Sequence, residues 1–80
     1  MTVKEKSVLE VWWYRLRSLN NDTGRWVTAG ELARECGYSR NTAKHWLDKL
    51  IKSKAAESAK KIHFNKSKMT VYRITNGENL

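Results

Sequence analysis

"TAGELARECGYSRNTAKHWLDKL", residues 28–50, holds two helix starts on either side of one glycine. In "TAGE" the Thr28 hydroxyl can accept the Glu31 backbone N–H while the Glu31 carboxylate reaches back. That reciprocal capping box predicts a short helix over about 29–36. Gly37 stops it, because glycine takes a left-handed backbone without a Cβ clash. Two residues on, Ser39 caps a further helix over about 40–52, in which Ala43, Trp46, Leu47 and Leu50 recur at helical spacing. Two helices therefore meet at a tight corner.

Upstream, Val8, Leu9, Trp12, Leu16 and Leu19 keep three-and-four spacing, which predicts an amphipathic helix over about 4–20, ended by the turn residues "NNDTG". "RWV", residues 25–27, is a β-prone run too short to stand without a partner strand. Downstream, "AAESAKKIHF" and "MTVYRIT" flank "NKSK" and read as a hairpin over 55–75 with its tip at Asn65 to Lys68. On the return strand Tyr72 and Ile74 share the inward face and Arg73 points outward. The last residues, 76–80, read as a frayed tail. Without a repeat, a proline or a linker, residues 1–80 form one α+β domain.

The chain carries 16 basic and 8 acidic residues, a formal net charge of +8. The excess is uneven: residues 1–20 are net +2, residues 21–38 net −1, and residues 39–80 net +7. Such a charge favours a polyanionic partner. A lone cysteine, Cys36, leaves no internal disulfide, and its simplest role is that of a small buried apolar residue. With no signal-peptide pattern and no apolar stretch of membrane-spanning length, a cytoplasmic protein is expected.

The order of elements, helix, short strand, helix, corner, helix and hairpin, resembles the winged helix-turn-helix domain of prokaryotic and phage regulators, from about Val8 to Thr75. The resemblance places Leu32 and Ala33 on the inner face of the first motif helix, Gly37 at the corner, and Ala43, Trp46 and Leu47 on the inner face of the second. It implies binding to double-stranded DNA.

With its apolar residues on the core, the helix over 40–52 exposes Asn41, His45, Asp48 and Lys52, flanked by Lys44 and Lys49, and Arg40 lies in its first turn. Arginine and lysine can bond guanine O6 and N7, and asparagine can bond adenine N6 and N7. Arg40, Asn41, Lys44 and His45 are accordingly the expected base contacts; Ser39, Thr42 and Lys49 are expected at phosphates. Asp48 would repel phosphate and is expected to pair with Lys44 or Lys52. Lys60, Lys61, Lys66, Lys68 and Arg73 would make the hairpin a second cationic surface, over the backbone or an adjacent minor groove.

"VWWYRL", residues 11–16, places more aromatics than one core face can take. Trp12 belongs with Leu9, Leu16 and Leu19; either Trp13 packs partly against the hairpin, or Trp13 and Tyr14 form a homodimer interface through the first helix. Trp26 and Trp46 read as core. Cys36, His45 and His63 lack metal-ligand spacing, and neither a phosphate loop nor a nucleophile motif is present, so no metal, cofactor, small-molecule effector or enzymatic activity is expected. The alternatives to transcriptional regulation are a DNA-binding role in replication or partition, and a protein-interaction module, which would call for a neutral or apolar face on the third helix. RNA binding would call for exposed aromatics on that face or on the hairpin tip.

Overall fold

The computed structural model describes residues 3–62 and 68–75. Three helices, α1 (Val3–Thr23), α2 (Ala29–Cys36) and α3 (Arg40–Lys52), are joined by three strands, β1 (Val27–Thr28), β2 (Ala56–Ile62) and β3 (Lys68–Ile74). The chain is thus a small α+β domain. Its antiparallel sheet has the order β1-β3-β2, with Val27 opposite Tyr72 and Ser58 also opposite Tyr72.

Local chemistry sets the corner as expected. Thr28 Oγ1 accepts from Glu31 N–H at 3.1 Å, and Glu31 Oε1 accepts from Thr28 N–H at 3.1 Å. Arg25 reinforces this box: its Nη1 donates to Glu31 Oε1 at 3.1 Å, and that bond raises the guanidinium pKa further. Gly37 takes φ +75°, and Ser39 Oγ accepts from Thr42 N–H at 3.2 Å to start α3. The far end of α3 closes differently, with a lysine in the left-handed region: Lys54 has φ 62°, and Ala55 N–H donates to Leu50 O at 2.9 Å.

α1 runs past its expected end. The turn residues stay helical because Asn20 finds non-local partners: Nδ2 donates to Arg25 O at 3.1 Å and to Tyr72 O at 3.3 Å, and Oδ1 accepts from Ile74 N–H at 3.1 Å. The stop is Gly24 at φ +66°.

The core lies between the helices and one sheet face. Leu16, Leu32, Leu47, Leu50 and Val27 are fully buried, joined by Leu9, Trp12, Trp13, Ala33, Ala43 and Tyr72. Each buried leucine stabilises the fold by about 1.5–3 kcal/mol. Period-two alternation puts Ala56, Ser58 and Lys60 with Thr70, Tyr72 and Ile74 on the core side, and Glu57, Ala59 and Lys61 with Met69, Val71 and Arg73 on the reverse side. Tyr72 is buried, Ile74 packs against the core and Arg73 is exposed, as the alternation requires.

Three aromatic assignments change. Trp13, one of the two expected interface residues, is only 3% exposed and belongs to the core, because α1 presents a stripe wide enough for both tryptophans. Trp46 is half-buried at the core's edge. Trp26 is half-buried outside the main core, where the Lys61 Nζ lies 4.3 Å and the Arg73 Cζ 4.6 Å from its ring centroid. Cys36 is also only partly buried. Residues 63–67, which include most of the expected tip, and residues 76–80, the expected tail, lie outside the described residues.

Candidate nucleic-acid interface

Antiparallel pairing in the hairpin carries the core-side face of β2 and β3 beyond the last buried residue, Tyr72. The side chains that follow on that face face the flank of α3. Between them lies a cleft of about 420 Å³ lined by Arg40 and Lys44 of α3, Lys60 of β2, and Lys68, Thr70 and Tyr72 of β3. Thr28, Ala29 and Gly30, around the start of α2, and Met69 of β3 complete its wall. The capping box uses the N–H groups of Thr28 and Glu31, leaving those of Ala29 and Gly30 for a ligand. Among the described residues, four cations and no carboxylate line this cleft. It suits an anion.

At about 100° per residue, the side of α3 opposite Ala43, Leu47 and Leu50 carries Asn41, His45, Asp48 and Lys52, and all four are exposed. The expected base contacts therefore divide. Asn41 and His45 occupy the outermost face, with the His45 ring edge-on to Trp46 at 5.1 Å. Arg40 and Lys44 line the cleft beside the hairpin.

The expected phosphate contacts divide as well. Lys60 and Lys68 line the cleft, with Lys68 inside β3 rather than at a tip. Lys61 and Arg73 belong to the reverse face, where both cover Trp26 and Arg73 pairs with Glu57. The structure sets them apart from the cleft, in a cation–aromatic cluster around Trp26, because a one-residue step along a strand reverses the face. Lys49 also lies away from the cleft, on the α1 side of α3, its Nζ 3.5 Å from Glu5 Oε2. The Ser39 and Thr42 hydroxyls share one hydrogen bond, 2.9 Å long, at the start of α3, which leaves one of the two O–H donors available. Lys66 falls outside the described residues.

Tyr14 remains 58% exposed, its ring edge-on to Trp13 at 4.8 Å. Asp48 makes neither of its expected pairings with Lys44 and Lys52. Tyr72, at the back of the cleft, has its phenol pKa raised, first by burial and then by the field of Asp48, against an opposing effect of Arg40.

Sequence reasoning missed the start of α2 and Thr70 as parts of this surface. The capping box announces a helix N-terminus, but only the β1–β3 pairing brings it beside Lys68 and Thr70.

Among the described residues, no helix is long and apolar enough to cross a membrane. No group of three or more His, Cys, Asp or Glu there is placed to hold a metal ion. Comparison with protein-family models, curated proteins and solved structures returned no match for this chain.

Proposed function

We propose that this domain is a winged helix-turn-helix protein that binds double-stranded DNA in a sequence-dependent way and regulates transcription by occupying its site. The outermost face of α3 enters the major groove with Asn41 and His45 toward the base edges. One strand's backbone runs through the adjoining cleft. There Arg40, Lys44, Lys60 and Lys68 neutralise successive phosphates, and the amides at the start of α2 add hydrogen bonds.

The observation that carries this reading is the convergence of those four cations, from three separate elements, in one cleft beside an exposed, amide-bearing helix face. A protein-interaction surface gains little from four unpaired cations in a row, because desolvating them without partners is costly. A backbone of regularly spaced phosphates supplies the partners.

The test is duplex affinity across a salt series. Neutralising about four phosphates predicts log affinity falling with log salt at a slope of about −4. A response flat in salt excludes the reading.

A further inference from the structure

The outward face of α3 carries a single carboxylate in a cationic setting. Asp48 is exposed and, among the described residues, has no ion pair, although Lys44 and Lys52 stand one turn away on either side. Three other carboxylates are paired, Glu5 with Lys49, Glu31 with Arg25 and Glu57 with Arg73, and Asp48 is the carboxylate of α3. A free carboxylate on a ridge facing phosphates weakens binding to every duplex, unless something in the groove compensates it.

Position along the helix identifies what can. Asp48 follows Asn41 by seven residues, which places it within about 20° of the same direction and about 10 Å further along the axis. That is about three base-pair steps of about 3.4 Å. A carboxylate there needs a hydrogen-bond donor. In the major groove, guanine offers two acceptors, thymine an acceptor and a methyl group, and adenine an amine beside the N7 acceptor. Cytosine alone offers an amine without a neighbouring acceptor on its own edge.

Resting on the DNA-binding reading above, we propose that Asp48 is a specificity-determining residue that accepts a hydrogen bond from the N4 amine of a cytosine, about three base pairs from the base contacted by Asn41. Lys44 and Lys52 hold the carboxylate in a positive field and offset its repulsion from the flanking phosphates. The same carboxylate rejects guanine at that position and lowers affinity for unrelated duplexes. Discrimination is improved on both counts.

The experiment selects preferred sites from a randomised duplex library with the wild type, Asp48→Ala and Asp48→Asn, then measures affinities for the selected site and its single-base variants. Thermal unfolding confirms that each variant folds. For the wild type, replacing the cytosine is expected to cost about tenfold in affinity. Asp48→Ala should bind all four bases at that position within about twofold and bind random duplex more tightly than the wild type. Asp48→Asn should move the preference from cytosine to adenine, which an amide can contact through N6 and N7. If Asp48→Ala strengthens every duplex by one common factor and keeps the wild-type preference at every position, the inference fails while the DNA-binding reading stands. If the wild type binds no duplex, both fall together.

Discussion

The side chain of Asn20 is hydrogen-bonded across the domain to the backbone of Ile74, its Oδ1 accepting the Ile74 N–H at 3.1 Å. The same amide donates to Tyr72 O at 3.3 Å and to Arg25 O at 3.1 Å, so one residue near the end of α1 holds both β3 and the connection that leads into β1. Asn20→Ala leaves three half-buried backbone groups without these partners and should destabilise the domain by about 2 kcal/mol. Asn20→Asp, which keeps the acceptor and loses both donors, should fall between alanine and the wild type. Denaturant unfolding of the three proteins measures the order.

Neighbouring lysines on β2 should behave differently. Lys60 lines the cleft, whereas Lys61 lies over Trp26 on the reverse face. Lys60→Ala is expected to reduce the salt slope of duplex binding by about 1. Lys61→Ala should leave that slope unchanged and lower stability by about 0.5–1 kcal/mol through loss of the cation–aromatic contact. Equal slopes for both variants would remove Lys60 from the phosphate path.

Alkaline pH should weaken the fold. Burial raises the Cys36 thiol pKa, with the Arg15 charge opposing, and burial likewise raises the Tyr72 phenol pKa. Both groups are neutral when protonated, so the folded state holds these protons more tightly than the unfolded chain does. The associated stability is complete below the unfolded values, about 8.5 for a thiol and about 10 for a phenol, and is lost as the pH rises through the folded ones. Unfolding free energy should therefore decline from about pH 8 upward, and Cys36→Ala should remove the earlier part of the decline. Denaturant melts across the alkaline range read both effects.

The end of α3 offers a stabilising change. Lys54 adopts a left-handed backbone at φ 62°, a conformation that costs an L-residue roughly 1 kcal/mol and glycine none. Lys54→Gly should raise stability by about 0.5 kcal/mol, once the greater chain entropy of unfolded glycine is counted. A higher thermal midpoint at unchanged cooperativity is the expected readout.

What could be read from the sequence followed from interactions among residues close together in the chain. Thr28, Glu31, Gly37 and Ser39 fix α2 and α3 through contacts within three or four residues, and those boundaries are as expected. The end of α1 was hidden because Asn20 is held by residues far away in the sequence. Trp13 and Trp26 exchanged their expected roles for a related reason: helical spacing ranks directions around α1 but does not say how wide the opposing sheet is. The candidate site was half readable. Asn41 and His45 follow from the helical period, but placing Arg40, Lys44, Lys60 and Lys68 in one cleft, and setting Lys61 and Arg73 apart from it, required the strand register.

β3 lies between β1 and β2, with Val27 and Ser58 on either side of Tyr72. A growing chain therefore completes α1, α2 and α3 before the strand that unites the sheet exists, and β1 waits with its hydrogen-bonding edge open. Helical structure can form early during synthesis, but cooperative closure must await residues 68–74. A ribosome-stalled chain ending before them should remain protease-sensitive throughout, rather than contain a protected helical half.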